Sequence, residues 1–310
     1  MRLSTDVPLL IDLASRLWAQ DSAASLGDAG SIAIEVVQEE DQDFLEGAAA
    51  SGSPRRNAAI FAFEQRLRWA HEPAEFRCEV PGVLEVIIGI ARARVDARIA
   101  ASLSSSLASF LARTLLEAPA AVLLARRGWR ALHAGAVKGP KGAVVVRGGS
   151  GAGKSTLVAA AHAAGLDVLG DESLLVSRAD PDDLASSVRD LTLREDSAAL
   201  LELLPQTESA FSGGEEKRRV DLFAFSRPEA RAAHRTSTLL LGPRVPGPAR
   251  LVPLSPPQFL EEFAKGEIPQ EHVDGGAGDI ARAWADSGGI RLDGASDLQG
   301  AVALLKALVT

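Results

Sequence analysis

The sequence predicts a mixed α/β fold, and three observations carry that prediction. Runs of β-branched residues alternate with polar ones in "FRCEVPGVLEVIIGIARARVDA", residues 76–97, which is typical of half-buried strands. The apolar run "AVVVR" leads into a glycine-rich stretch, and an alanine-rich helical stretch follows it. Further along, apolar residues recur at helical spacing between other short strand-like runs. We therefore expect a strand, loop, helix and second strand at the centre of the larger domain, with a smaller mixed region before it.

The smaller region is predicted to span residues 1–126 and to mix helices with strands. Its function is open, and recognition of a substrate is one hypothesis for it. The elements expected here are a helix near Leu9 to Trp18, a strand in 31–37, a loop over 43–57, strands within 76–97 and a helical region over 100–126.

The larger domain is predicted to span residues 127–310. "WRALHAGAV" and "GAVVVRG" are expected to form two strands, followed by a helix from about Lys154 to Ala164 and a strand over "DVLGDESLLV". The remaining expectations are a helix near 196–204, a loop over 212–219, strands near 218–225, 235–243 and 249–255, and helices over 255–266 and 295–309.

Composition narrows the function classes. A net charge of −8 argues against a nucleic-acid binder. The single cysteine, Cys78, excludes an internal disulfide and fits a reducing cytoplasm. The N-terminus shows no signal-peptide pattern, and the most apolar region is interrupted by Arg113, Glu117 and Pro119. We therefore expect a cytoplasmic protein with no membrane or nucleic-acid partner, and a homo-oligomer is left open.

The clearest motif is G-x-x-x-x-G-K-[ST], formed by Gly148, Gly153, Lys154 and Ser155. Glycines let backbone N–H groups converge at a helix N-terminus, where peptide dipoles favour an anion. Lysine can reach the outer phosphates of a nucleotide, and the serine hydroxyl can ligate Mg²⁺. The motif predicts ATP or GTP binding by the following residues: Gly148, Gly149, Ser150, Gly151, Ala152, Gly153, Lys154, Ser155 and Thr156.

Two acids, Asp171 and Glu172, follow the motif after one short helix and the start of a strand. If that strand lies beside the strand leading into the loop, both acids reach the end of a bound triphosphate. One could hold Mg²⁺, and the other could accept the proton of an attacking hydroxyl. The alternative is a solvated acidic turn, but apolar runs flank the pair on both sides.

Positive charge near the transferred phosphate could come from Lys217, Arg218 or Arg219 on a flexible loop, with Lys217 and Arg219 as the candidate phosphate contacts. The alternative is a solvated turn in which Glu215 and Glu216 partner these bases. Arg147, just before the glycine-rich stretch, could also face solvent.

Several segments resemble the HPr serine kinase family, whose fold is shared with phosphoenolpyruvate carboxykinase. "LHAGAV", with His133, is similar to the histidine-bearing strand of that family, and "GGSGAGKST" to its phosphate loop. "GLDVLGDESLLV" resembles its G-x-x-L-x-x-D-D segment, with Val168 for the leucine and Glu172 for the second aspartate. The family's E-I-R-G-L-G-like segment is absent, so the chain looks more like the HPr-related kinases, some of which accompany peptide-modifying enzymes.

This resemblance implies a fold like the nucleotide-binding domain of phosphoenolpyruvate carboxykinase, with ATP and Mg²⁺ as cofactors. It implies that Asp171 is the acid or base of phosphoryl transfer, assisted by Lys154. It places Ser155 and Glu172, together with Asp171, near the metal, and His133 near the transferred phosphate. A core histidine is the alternative for His133. The expected acceptor is a serine or threonine hydroxyl of a peptide or protein; a small-molecule alcohol, or ATP binding without phosphate transfer, are the alternatives.

Overall fold

The computed structural model describes part of the chain. The predicted helix near Leu9 to Trp18 and the predicted loop over 43–57 lie outside it. The described residues are 2–5, 33–39, 68–72, 74–80, 84–92, 94–100, 112–125, 127–186, 190–201, 208–212, 215–221, 232–243, 245–266, 271, 276–294 and 296–310.

Two compact units make up the described chain. The first contains the described residues up to Arg127 together with 209–217, and the second contains those of 128–208 and 218–310. The predicted domain division had residues 209–217 in the larger domain. It did not anticipate that the described residues of this segment belong to the first unit. Both units combine helices with sheets, so the fold is mixed α/β.

The first unit is built around a six-stranded sheet in the order β1-β2-β6-β5-β4-β3. Strands β4 to β6 alternate buried residues with more exposed ones, which gives this part of the sheet a buried apolar face and a second face that is mostly charged. Strand β6 runs through Ala100, the first residue of the predicted helical region over 100–126. Residues 101–111 of that region lie outside the described part of the chain, and Ala112–Ala125 is helical as predicted. The elements are β1 Arg2–Thr5, β2 Ala33–Glu39, β3 Arg68–Glu72, β4 Glu75–Val80, β5 Leu84–Gly89, β6 Arg94–Ala100, a π-helical turn Ala112–Glu117 and α1 Ala118–Ala125.

The second unit carries the glycine-rich motif between a strand and a helix, as predicted. The elements from Trp129 onward are β7 Trp129–Leu132, β8 Gly135–Gly139, β9 Gly142–Arg147, α2 Lys154–Ala163, β10 Asp167–Gly170, β11 Leu174–Ser177, β12 Asp183–Ser186, β13 Asp190–Leu193, α3 Glu195–Leu200, β14 Glu208–Ser212, β15 Glu215–Asp221, β16 Ala232–Leu241, β17 Arg250–Leu254, α4 Pro256–Ala264, α5 Gly276–Ala285, β18 Gly289–Asp293 and α6 Leu298–Val309. Of these, β14 from Ser209 onward and β15 up to Lys217 belong to the first unit. Within the second unit, β13 pairs with residues 218–221 of β15.

The main sheet of the second unit has the order β10-β8-β9-β16-β12-β11-β7, and β18 and β17 continue from β16. The long strand β16 joins two parts of this sheet. Its first residues pair with β12, and its later residues pair in parallel with β9 and β18. Both neighbours of β8 are antiparallel to it, so β10 runs parallel to β9.

Helices cover both faces of this sheet near β9, and the alternation of β9 explains why. Val144 and Val146 belong to an apolar cluster with α2 and α6. Ala143 and Val145 belong to a second cluster with Phe259, Trp284 and other residues of α4 and α5. A strand that buries both faces reads as a continuous apolar run, which is the pattern of "AVVVR".

Two strands predicted as continuous are each broken in the structure. "WRALHAGAV" divides at His133–Ala134 into β7 and β8, and "DVLGDESLLV" divides at Asp171–Ser173 into β10 and β11. The breaks arise because each segment changes partners. Strands β8 and β10 pair with each other, whereas β7 pairs with β11.

No helix among the described residues combines the length and the apolar character needed to cross a bilayer.

Candidate functional site

The glycine loop, Gly148 to Gly153, connects the end of β9 to the start of α2. Gly151 and Gly153 have φ values of 75° and 102°, a left-handed backbone that favours glycine. The Ala152 N–H donates to the Gly149 carbonyl at 3.1 Å and closes the outer turn of the loop. Lys154, almost fully buried, folds back across the loop and donates from Nζ to the Gly148 carbonyl at 3.1 Å. The loop therefore brings backbone N–H groups and one ammonium group together at a helix N-terminus.

The acids reach this loop by a route that differs from the prediction. We expected their strand to lie beside β9, but β8 lies between β10 and β9. Because β10 and β9 are parallel and β8 is antiparallel, their C-terminal ends and the N-terminal end of β8 meet at one edge of the sheet. The predicted adjacency is wrong, and the shared edge still brings the acids towards the loop.

Gly135, the first residue of β8, makes this arrangement sterically possible. A Cβ on Gly135 would lie 2.7 Å from Val158 Cγ2 and 3.1 Å from Asp171 Oδ1. Helix α2 and the Asp171 carboxylate therefore share the space left by the missing side chain.

Asp171 is fully buried, and neither of its carboxylate oxygens has a hydrogen-bond partner of good geometry among the described residues. Burial raises the pKa of Asp171 to about 6, and the like charge of Glu172 adds to the rise. The nearby Ser155 hydroxyl and the Lys154 ammonium act in the opposite direction. A buried carboxylate with unsatisfied oxygens is costly, so its position requires a reason beyond packing.

Glu172 and His133 meet where the two broken strands change partners. Glu172 has a φ of 65°, the one positive value among the described non-glycine residues. Its backbone carbonyl lies 3.0 Å from His133 Nδ1. A carbonyl only accepts, so Nδ1 carries the proton of this hydrogen bond. Burial and the charge of Lys154 lower the pKa of His133, so the imidazole is neutral at physiological pH.

A buried ion pair forms the floor beneath the loop. Arg147 donates from two guanidinium nitrogens to the two carboxylate oxygens of Glu271, at 2.8 and 2.9 Å. It also donates to the carbonyls of His133 and Phe263, at 3.1 and 2.7 Å. The His133 backbone N–H donates to Glu271, and the guanidinium lies 4.3 Å from the centre of the Phe263 ring. This network, Arg147 with Glu271, His133 and Phe263, is called the floor network below.

Arg147 does not face solvent, because it is fully buried in the floor network. The charge is tolerated there because its donors are matched by a carboxylate and two carbonyls. Sequence reasoning missed Glu271, which lies in a polar stretch with no helical or strand pattern of its own. The one sequence feature that pointed to a buried partner was Arg147 itself, a charged residue at the end of an otherwise apolar strand.

Lys217 and Arg219, the predicted phosphate contacts, lie on β15 and not on a flexible loop. Arg219 is paired across the strands with Thr192, and its neighbour Arg218 bonds Glu195 at 2.6 Å. The apolar residue between them and the strand end, Val220, is buried and anchors the strand. These two residues therefore do not lie on a flexible loop that could close over the phosphates. Another cation that sequence reasoning missed, Arg194, lies near Gly151.

None of the known protein families matches the chain, and none of the curated proteins resembles it significantly.

Proposed function

We propose that the chain is an ATP-dependent kinase that transfers the γ-phosphoryl group to a hydroxyl. The observation that carries the proposal is the association of a phosphate-binding type of glycine loop with Asp171, a buried acid whose oxygens are unsatisfied. Perturbed, buried carboxylates of this kind cluster at functional sites. We further propose the finer fold, a nucleotide domain like that of phosphoenolpyruvate carboxykinase, and kinship with the HPr-related kinases.

Mg²⁺ fits the residues at this edge. The unsatisfied oxygens of Asp171 lie close to the Ser155 hydroxyl, and Glu172 adds a second carboxylate. Oxygen donors of this kind are those that Mg²⁺ prefers. Ser155, Glu172 and one oxygen of Asp171 would hold the ion, which when bound neutralises charge on the outer phosphates.

The residues of the chain have separate roles in the proposed reaction. The N–H groups of Gly148 to Thr156 and the Lys154 ammonium bind the phosphates, which requires Lys154 to exchange the Gly148 carbonyl for phosphate oxygens. The acceptor oxygen bonds to the γ-phosphorus, the bond from that phosphorus to the ADP oxygen breaks, and the hydroxyl proton passes to Asp171. With a pKa of about 6, Asp171 is ionised at neutral pH and is more basic than an ordinary aspartate.

His133 acts in this proposal as a positioning residue. Neutral and hydrogen-bonded to the Glu172 carbonyl, it holds the backbone of Glu172 in its left-handed conformation. The floor network fixes the backbone of His133 in turn.

The acceptor is proposed to be a serine or threonine hydroxyl of a peptide or protein, with a small-molecule alcohol as the alternative. The test incubates the protein with Mg²⁺ and γ-labelled ATP, alone and with serine- and threonine-containing peptides or small alcohols. We expect slow turnover alone, faster turnover with the right acceptor, and label on its oxygen. Lys154→Ala is the control and should lose both. ATP binding with no turnover above background in any mixture would contradict the kinase and favour the ATP-binding alternative.

A further inference from the structure

Arg194 lies at the outer turn of the glycine loop. A Cβ on Gly151 would be 3.7 Å from Nη2 of Arg194, so the guanidinium is next to the loop backbone. Arg194 is exposed and occupies the single residue between β13 and α3. Lys154, by contrast, is buried on the inner side of the same loop. The loop thus has a cation on each side.

The segment that carries Arg194 is held against the helix that begins the site. Leu191 and Leu193 of β13 are buried in the apolar cluster of α2. The Thr156 hydroxyl, in the first turn of α2, donates to the Ser197 hydroxyl of α3 at 2.9 Å. Leucine packing on one side of Arg194 and this hydrogen bond on the other fix its backbone relative to the loop.

We propose that Arg194 binds phosphate oxygens of the nucleotide held by the glycine loop. This inference rests on the proposed function, and it assigns to Arg194 the role predicted for Lys217 and Arg219. A guanidinium presents several N–H donors in a planar fork that matches two phosphate oxygens. The Arg194 residue is exposed, so its guanidinium has room to turn towards a bound phosphate while its backbone stays in place.

The test compares three variants by calorimetric titration with Mg²⁺·ATP and with Mg²⁺·ADP. Arg194→Ala should weaken binding of both nucleotides about tenfold or more, since it removes charge-assisted hydrogen bonds. Arg194→Lys should retain part of the affinity, because it keeps the charge but loses the fork. The matched control is Arg178→Ala, another exposed arginine, which follows β11 at its end remote from Asp171. It should bind as the wild type does.

Wild-type affinity in Arg194→Ala would overturn the inference and leave the proposed function intact. An equal loss in Arg178→Ala would also overturn it, because the effect would then reflect general surface charge. Failure of the wild-type protein to bind either nucleotide would refute the nucleotide proposal itself, and with it this one. Arg194 is exposed, so thermal denaturation should show the variants folded, and Arg194→Gln provides a second neutral variant.

Discussion

Asp171 and Glu271 are two buried carboxylates at the same end of the sheet, and their surroundings differ sharply. Glu271 is bonded at both oxygens by Arg147 and also accepts from the His133 backbone. Neither oxygen of Asp171 has a partner of good geometry among the described residues. A buried acid whose oxygens are satisfied fixes the positions of the groups that bond it, whereas an unsatisfied one is retained at a cost. The difference separates a floor that fixes geometry from an acid that is available for chemistry.

The substitution Asp171→Asn should have the largest effect. It keeps the shape of the side chain and removes its charge. If Asp171 accepts the proton, kcat for phosphoryl transfer should fall about 100- to 10,000-fold. Affinity for Mg²⁺·ATP should change far less, because the loop and Lys154 remain. Steady-state kinetics with a productive acceptor gives kcat, and calorimetry gives the affinity. Full transfer activity in this variant would refute the base.

Glu271→Ala tests the floor, and its main effect should be on stability. Removing the carboxylate leaves Arg147 as a buried, uncompensated charge, so the free energy of unfolding should fall by about 3–5 kcal/mol. The double variant Arg147→Met, Glu271→Leu removes both charges and should recover most of that loss. Chemical denaturation measures both. An equal loss in the single and double variants would show that the pair is not a coupled unit.

The pH dependence of stability tests the surroundings of Asp171. The pKa of Asp171 is about 6 in the folded protein, against 3.8 for an ordinary aspartate. The folded state therefore holds the proton more tightly between these values, and stability from this group falls as pH rises from 4 to 6. The free energy of unfolding of the wild type relative to Asp171→Asn should drop by about 3 kcal/mol across that window.

Taking this difference cancels the contribution of His133, whose lowered pKa gives the opposite slope. Denaturant titrations at intervals of half a pH unit suffice. A difference that is flat from pH 4 to 7 would show that the Asp171 carboxyl is solvated like an ordinary one.

Gly135→Ala should give the smallest effect. The added methyl group would meet Val158 at 2.7 Å and Asp171 at 3.1 Å, and such overpacking costs about 1–3 kcal/mol. Transfer activity should fall as well, because the carboxylate is displaced. The control is Gly278→Ala in α5, where a Cβ would meet only Arg282 Nη1 at 3.7 Å and stability should hold or rise. Equal melting temperatures for the two variants would show that the space beside Gly135 does not have to be free of a side chain.

The parts of the site that the sequence predicted are the local ones. The glycine loop, its lysine and the start of α2 follow from spacing within a dozen residues, and the structure has them where expected. The breaks at His133–Ala134 and Asp171–Ser173 were missed, because the strand-like runs on either side of each break were interpreted as one continuous strand. What breaks the strands is a change of partner, and strand pairing is a long-range property.

Long-range proximity also explains the residues that were missed. Glu271 reaches Arg147 from 124 positions away in the sequence, and no local pattern marks it. Arg194 lies 43 positions after Gly151 and is brought to the loop by the packing of β13 against α2. The predicted adjacency of the acidic strand and β9 failed for the same reason, since nothing in the sequence places β8 between them.

The proposed role of Asp171 as the base can be tested most directly by measuring one distance. A crystal structure with Mg²⁺ and a non-hydrolysable ATP analogue would give the separation between the Asp171 carboxylate and the γ-phosphorus. We expect a separation of no more than about 6 Å, which leaves room for one acceptor hydroxyl. We also expect Lys154 Nζ to have moved from the Gly148 carbonyl to the phosphates. A nucleotide bound with its γ-phosphate turned away from Asp171, or a Lys154 still bonded to the Gly148 carbonyl, would contradict the proposed roles of these two residues.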